Sequence, residues 1–291
     1  MHLWSSVALL AGFSHAADVP CVPPEERDDY FDYSRAPSSP YKGPLTNLGG
    51  DVLDHIQVFL VFYGNAKFQA QLAKFYSGIV TSGYFDWLSE YGVYSGTFEG
   101  SFKANVTQSD SDPKNVANAV IAKYNLTNRL TSNSYLAIHY GPEYNKQRGN
   151  CESYCAYHDQ MISKTGQRLT IGMIPDCSTT CYDANAYNSM TCVASHELVE
   201  TATDPHMNAW LGASNGEIGD LCYNQCGKLK DRNGNTHVVQ YLWSNTASKK
   251  NKGNGCIITT TKSGGKTTAN ANTKTKRGVP NSKTTSLPNM E

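Results

Sequence analysis

Blocks of apolar residues, separated by polar and glycine-rich stretches, divide the chain into predicted strands and helices. A continuous apolar run predicts a buried strand over residues 51–63, and apolar residues at helical spacing predict helices over 68–80 and 85–91. The later elements predicted in this way are a strand over 93–102, a helix over 113–124 and strands over 134–140, 167–174 and 238–244. The order of these elements predicts an α+β fold in which helices cover a mixed sheet.

A longer helix is predicted over residues 183–203. It has to end before Pro205, because the residue that precedes a proline is pushed out of the helical region. Asp204, at this end, is expected to hydrogen-bond to nearby backbone in a turn. On the side opposite His196 the helix carries apolar residues that are expected to pack on the sheet, namely Ala194, Leu198 and Ala202.

The last turns of this helix carry the residues of greatest chemical interest. His196 and Glu200 lie one turn apart on one face, and Glu197 is rotated by about 100° from His196. This is the layout of the zinc-protease motif His-Glu-x-x-His with the second histidine replaced by glutamate. The pattern predicts a metal site with His196 and Glu200 as ligands and Glu197 as the general base of a hydrolase.

A third protein ligand has to come from another part of the chain. Asp220 is the first choice, because the stretch 216–222 supplies carboxylates soon after the helix. Cys222 at the end of this stretch can fix the loop through a disulfide. Glu217 in the same stretch is the nearest alternative.

Two histidines are further alternatives for the third ligand. His206 lies ten residues after His196, which is the spacing of the third ligand in metzincin-type proteases. Those proteases turn the chain with a glycine midway, where this sequence has Thr203. His158 lies far from the helix in sequence, in the stretch 154–159, and is the remaining alternative.

The exchange of the second histidine for Glu200 changes the chemistry expected of the metal. One imidazole and two carboxylates nearly cancel the charge of Zn²⁺, so the metal becomes a weaker Lewis acid and its water holds its proton more firmly. Carboxylate ligands also favour harder ions such as Ca²⁺ or Mn²⁺. The residues therefore support metal binding more strongly than catalytic turnover.

Composition and charge place the protein among globular chains. Apolar residues make up 39% and charged residues 17% of 291 residues, enough for one large core. The formal net charge of zero gives no electrostatic reason to expect a nucleic-acid partner. No segment is long enough to predict a transmembrane helix.

The two ends of the chain differ from its centre. Residues 1–16 are predicted to be a secretory signal peptide, with an apolar stretch over 7–13 and small residues before a cleavage site after Ala16. Residues 17–48 form a proline-rich, acidic leader. A single folded domain is predicted over 49–260, followed by a disordered tail rich in Lys, Thr and Asn over 261–291.

Nine cysteines and two glycosylation sequons agree with export. In a secreted chain the cysteines are expected to form disulfides rather than zinc clusters; the candidates are Cys151, Cys155, Cys177, Cys181, Cys222, Cys226 and Cys256. The odd count leaves one thiol over, and Cys21 and Cys192 are the candidates for it. The sequons mark Asn105 and Asn125 as glycosylation sites.

Five pieces of the chain together resemble the Exordium, or phosphate-induced protein, family of secreted plant proteins with fungal and bacterial relatives. These pieces lie within residues 49–256 and are 49–64, 154–158, 195–205, 217–222 and 239–245 followed by Cys256. The resemblance implies a cell-wall or extracellular location, and the helix motif implies a zincin-like fold. The leader, the cysteines over 151–181 and the tail are unlike the plant members and indicate a microbial secreted relative.

The sequence as a whole predicts a secreted, disulfide-stabilised protein that binds Zn²⁺, with Ca²⁺ or Mn²⁺ as alternatives, through His196, Glu200 and Asp220. As an enzyme it would be a hydrolase of peptidase type, acting on a peptide or a cell-wall polymer. The alternative is a non-catalytic extracellular protein in which the metal or the acidic cluster is structural.

Overall fold

A computed structural model describes residues 42–107, 111–144, 151, 154–177, 181 and 185–259. The predicted signal peptide, the leader before Lys42, Cys21 and the predicted tail lie outside these residues. Eleven strands are described: β1 (Lys42–Asn47), β2 (His55–Tyr63), β3 (Ser95–Lys103), β4 (Ser134–Tyr140), β5 (Tyr157–Ile162), β6 (Arg168–Pro175), β7 (Trp210–Ala213), β8 (Cys226–Lys230), β9 (Thr236–Gln240), β10 (Leu242–Trp243) and β11 (Cys256–Ile257). The α-helices are α1 (Gln69–Ile79), α2 (Gly83–Asp86), α3 (Pro113–Lys123), α4 (Ala186–Thr203) and α5 (Asn245–Lys250).

Five strands form the central sheet in the order β3-β2-β4-β6-β5. The first four run parallel to one another, and β5 pairs with β6 in the antiparallel sense at one edge. The prediction of a mixed sheet with helical cover is therefore confirmed. Three two-stranded sheets pair β1 with β7, β8 with β9 and β10 with β11.

Strand alternation divides the core between the two faces of the sheet. In β2, Ile56 and Val58 belong to the core cluster that contains residues of α1 and α4, whereas Phe59 and Val61 belong to the cluster that contains residues of α3. Successive side chains of a strand point to opposite faces, so one buried strand supplies both clusters. The sheet is thus sandwiched between two helical layers.

The predicted elements agree with the structure except in detail. The short predicted helix over 85–91 is α2 followed by a 3₁₀ helix at Trp87–Tyr91, and the last predicted strand is divided into β9 and β10. Strand β5 was not predicted. Strand β1 lies within the stretch predicted to be leader. Residues 42–47 are therefore part of the folded unit, since β1 pairs with β7.

Eight cysteines form four disulfides. They are Cys151–Cys177, Cys155–Cys181, Cys192–Cys226 and Cys222–Cys256. All seven cysteines predicted to be bonded are therefore bonded. Cys192, one of the two candidates for the free thiol, is bonded, because α4 packs on β9 and the neighbouring strand β8 brings Cys226 to it.

Two further observations concern the outside of the protein. None of the helices in the described ranges is long and apolar enough to cross a membrane. Asn105 and Asn125, the two sequon asparagines, are both exposed, as glycan attachment requires.

Candidate metal centre

Helix α4 is buried along almost its whole length. It begins after Asn185, whose side chain accepts hydrogen bonds from the backbone N–H groups of Tyr187 and Asn188, and it ends at Thr203. All residues from Ser189 to Thr203 are buried. The helix packs on β5 and β6 of the sheet on one side and on β9 on another, so its polar face is as enclosed as its apolar one.

The predicted apolar face of α4 is confirmed, and the polar face carries the site. Ala194, Leu198 and Ala202 all belong to the core cluster on this side of the sheet. His196 and Glu200, on the other side, are only 2–3% exposed. Buried charged groups are costly unless they are paired or coordinate a metal, so their surroundings decide what the site can do.

Both nitrogens of the His196 ring have defined partners. Nδ1 lies 3.0 Å from the side-chain oxygen Oε1 of Gln240. The amide nitrogen of Gln240 donates to the Gly219 carbonyl at 2.6 Å, so its oxygen is the atom that faces His196. His196 therefore donates through Nδ1, as metal-binding histidines commonly do to an outer partner.

The other nitrogen, Nε2, points at carboxylates. It lies 2.8 Å from Oε2 of Glu200 and 3.9 Å from Oδ1 of Asp220. Ligand atoms held about 2.1 Å from a tetrahedral Zn²⁺ are about 3.4 Å apart, a value between these two distances. A neutral Nε2 and a carboxylate oxygen repel each other at 2.8 Å, so a proton or a cation has to lie between them.

The loop that carries Asp220 closes over Glu200. The backbone N–H groups of Gly219 and Asp220 both donate to Oε1 of Glu200, at 3.1 and 3.2 Å. A Cβ atom on Gly219 would lie 2.5 Å from His196 Nδ1 and 2.9 Å from Glu200 Oε1, closer than real contacts allow. Residue 219 is thus a glycine because the loop backbone has to approach these two side chains closely.

The electrostatics of this group favour bound protons when no metal is present. Burial disfavours the imidazolium of His196, but the charge and hydrogen bond of Glu200 outweigh burial and raise the pKa to about 10. Burial first, and then the charge of Glu200, raise the pKa of Asp220 to about 8. Both groups hold protons at neutral pH that a cation would have to displace.

His158 and Glu197 form the second half of the site. Strand β5 directs His158 to the same face of the sheet as α4, and its Nδ1 lies 3.3 Å from Oε2 of Glu197. Its Nε2 lies 3.3 Å from the carbonyl oxygen of Asp204 and 3.6 Å from Oε1 of Glu217. Burial lowers the pKa of His158, but the hydrogen bond and charge of Glu197 reverse that effect and raise it.

Six side chains therefore meet in one buried region, which we call the His/acid cluster. They are His158, His196, Glu197, Glu200, Glu217 and Asp220. Two sets of ligand atoms within it, each mutually within 4.8 Å, have the geometry to hold a metal ion: His196, Glu200 and Asp220, and His158, Glu200 and Glu217.

The predicted site residues are distributed as follows. The preferred set of His196, Glu200 and Asp220 is brought together, and so are the alternatives Glu217 and His158. His206 belongs to neither set, and its Nδ1 lies 2.8 Å from the carbonyl oxygen of Pro205. Asp204 accepts hydrogen bonds from the backbone N–H groups of residues 208 and 209, as expected of a turn residue.

Gln240 is a residue beside the cluster that the sequence did not identify. It ends β9, and its backbone N–H donates to Oγ of Ser195 while its carbonyl accepts from the hydroxyl of Tyr84. Its side chain holds both His196 and the loop at Gly219. The signal in the sequence was a lone polar residue after Val238 and Val239, in a stretch otherwise typical of a buried strand.

The cluster is closed to solvent. Its carboxylates and imidazoles are each 2–3% exposed. A groove of about 670 Å³ lies elsewhere and contains none of the cluster residues. Its lining residues are Lys42, Gly43, Pro44, Trp243, Asn245, Ser248, Lys249, Lys252 and Gly253. The conformation described thus buries its candidate metal ligands rather than presenting them in a cleft.

Comparison with known family models, curated proteins and solved structures gave no match for this chain.

Proposed function

We propose that the protein is an extracellular divalent-cation-binding protein, and that the cation ties helix α4 to the loop over residues 216–222. His196, Glu200 and Asp220 would hold the ion. Because the helix packs on the sheet and the loop leads into β8, an ion at this point stabilises the contact between the two parts of the fold. The role proposed for it is structural.

The orientation of the His196 ring carries this proposal. Gln240 occupies Nδ1, so Nε2 is directed at the carboxylates of Glu200 and Asp220. An imidazole nitrogen and two carboxylate oxygens are a donor set suited to Zn²⁺ or Mn²⁺, with Ca²⁺ less well matched because it prefers an all-oxygen shell. The burial of all three ligands favours a closed, structural site over an open catalytic one.

Metal analysis of the purified protein tests the proposal. We expect the full chain to retain zinc or manganese through dialysis, and Asp220→Asn to bind it at least ten-fold more weakly, because one anionic ligand is lost. Chelation with EDTA is expected to lower the melting temperature of the wild type by several degrees. A wild-type protein that binds neither ion and melts at the same temperature with and without EDTA would overturn the proposal.

The stability of the metal-free protein is expected to fall as the pH rises. Asp220 and His196 have pKa values of about 8 and about 10, above their ordinary values of 3.8 and 6.5. The folded state therefore binds more protons than the unfolded state, and this stabilisation is complete below the ordinary values and is lost as the pH passes the raised ones. Urea titrations in EDTA at about pH 6 and about pH 9 measure this loss.

The same titrations with saturating metal provide the control for the pH prediction. A bound cation replaces the protons of Asp220 and His196, so the metal-loaded protein is expected to keep its stability over this range. Equal stability of the metal-free protein at both pH values would mean that protons do not neutralise the cluster.

A hydrolase of peptidase type is the second candidate, because Glu197 follows the first ligand directly and lies in the same cluster. A cation at this site supplies Lewis acidity for an attacking water, and Glu197 would accept the proton of that water. In the described conformation Glu197 is buried and contacts His158, so hydrolysis would require the cluster to open to solvent.

A peptide library decides between the two roles. Cleavage by the wild type that disappears in Glu197→Gln, while the bound metal is retained, would favour the hydrolase. Metal retention with no cleavage by the wild type favours the structural role. The hydrolase proposal is linked to a zincin-like fold. The parallel strands, the antiparallel edge strand and the buried motif helix support such a fold.

The extracellular location and the family remain part of the proposal. Four disulfides support an oxidising compartment. Four of the five pieces that resemble the Exordium family contribute residues to the cluster or its support, among them His158, Asp220 and Gln240. A peptide or a cell-wall polymer is the proposed partner class.

A further inference from the structure

We propose that the His/acid cluster holds two divalent cations rather than one, with the carboxylate of Glu200 shared between them. The first ion has His196 and Asp220 as its other ligands, as proposed above, and the second has His158 and Glu217. This inference rests on the proposed metal binding, and it adds a second ion and a bridging role for Glu200.

The two histidines have comparable but not identical surroundings. His196 has Nδ1 on the Gln240 oxygen and Nε2 directed at Glu200 and Asp220. His158 has Nδ1 on Glu197 at 3.3 Å, and its Nε2 lies 3.3 Å from the Asp204 carbonyl oxygen and 3.6 Å from Oε1 of Glu217. In each case a side-chain acceptor at Nδ1 orients the ring and a carboxylate lies on the Nε2 side, as is common around metal-binding histidines. An ion on His158 would replace the contact of Nε2 with the Asp204 carbonyl.

An unpartnered oxygen lies at the second position. Within the described residues, Oε1 of Glu217 has no hydrogen-bond donor, and the residue is only 2% exposed. The other carboxylate of this loop, that of Asp220, accepts a hydrogen bond from the backbone N–H of Glu217. This bond fixes the loop but gives no donor to Oε1 of Glu217. A buried carboxylate oxygen without a donor costs free energy, and a cation directed by His158 Nε2 would supply its missing partner.

The charge of the cluster matches two cations better than one. Glu197, Glu200, Glu217 and Asp220 carry four negative charges when ionised, and both histidines are neutral when they act as ligands. One divalent ion would leave two of these carboxylates to be neutralised by protons, whereas two divalent ions balance all four.

Glu200 is placed to serve both positions. It is the residue common to the two sets of ligand atoms, each of which fits within 4.8 Å. One of its oxygens faces His196, and the other is held by the loop N–H groups of Gly219 and Asp220. Two ions that share a carboxylate would lie about 3.5–4 Å apart.

Zinc stoichiometry of the full chain tests the second site. We expect two Zn²⁺ per chain for the wild type by calorimetry and elemental analysis, and one for Glu217→Gln, which keeps its shape but loses the ligand charge. Asp220→Asn is expected to lose the other ion and also to retain one. Glu99→Gln, which makes the same change at a half-exposed ion pair with Arg129, is the matched control and should still bind two.

The possible outcomes separate this inference from the proposed function. A wild type that binds one ion, with Glu217→Gln unchanged, would overturn the second site and leave the first intact. No binding at all would overturn both. Manganese loading gives a readout that needs no variant: two Mn²⁺ ions bridged by Glu200 should give an exchange-coupled paramagnetic resonance spectrum, and an uncoupled hyperfine pattern at two equivalents would overturn the bridge.

Discussion

Replacement of Glu200 by glutamine is expected to abolish metal binding and to lower the free energy of unfolding by about 3–5 kcal/mol. The amide oxygen can still accept from the loop N–H groups of Gly219 and Asp220, so the change removes the charge and puts an NH2 group opposite His196. The His196 imidazolium then loses its 2.8 Å partner in a region that is almost completely buried. Urea unfolding at about pH 7 and zinc calorimetry measure the two effects.

Two comparisons make the Glu200 prediction specific. Glu99→Gln removes a carboxylate of the same kind at the half-exposed Arg129 pair, and we expect it to cost less than about 1 kcal/mol because solvent screens that pair. The interpretation of Glu200 as the central ligand fails if Glu200→Gln is as stable as Glu99→Gln, or if it binds zinc with wild-type affinity.

Removal of the Cys192–Cys226 disulfide is expected to destabilise the protein by about 4 kcal/mol. The bond closes a loop with a sequence separation of 34 residues, and the entropy that the unfolded chain gains when such a loop is opened corresponds to a free energy of about that size. Cys192 lies one turn before His196 on α4, and Cys226 begins β8. The double variant Cys192→Ala/Cys226→Ala is therefore also expected to bind metal more weakly, because α4 is less firmly held beside β8 and β9.

The Cys151–Cys177 disulfide provides the control for that second effect. It closes a loop with a sequence separation of 26 residues, so its removal is expected to cost a similar free energy. Neither of its cysteines adjoins a ligand in sequence, and we expect zinc affinity to be retained. Equal losses of zinc affinity in the two double variants would show that the Cys192–Cys226 bond has no special role at the site.

The central elements could be predicted from the sequence because their periodicity is strong. Strand β4 was predicted with its observed bounds, and α1 and α3 to within a residue at each end. Strands β1 and β5 were missed for a shared reason, since each lies in a stretch whose local composition is typical of a loop. Strand β1 is extended because it pairs with β7, and β5 is extended because it pairs with β6.

The same contrast applies to the candidate site. Local spacing was enough to identify His196 and Glu200, because a helix places residues four apart on one face. The loop ligand Asp220 followed from the need for a third donor and from its position soon after the helix. Gln240 could not be found in this way, since its role depends on β9 lying against α4.

The sequence by itself determined the helical register of the motif, the use of cysteines in disulfides and the apolar faces that build the sheet, because each of these is set by neighbours in the chain. Only the tertiary structure decided that the polar face of α4 is buried, that Cys192 is bonded and that His158 joins Glu197 and Glu217. These features depend on segments that are far apart in sequence. Their positions are fixed by packing against the sheet, which no local pattern encodes.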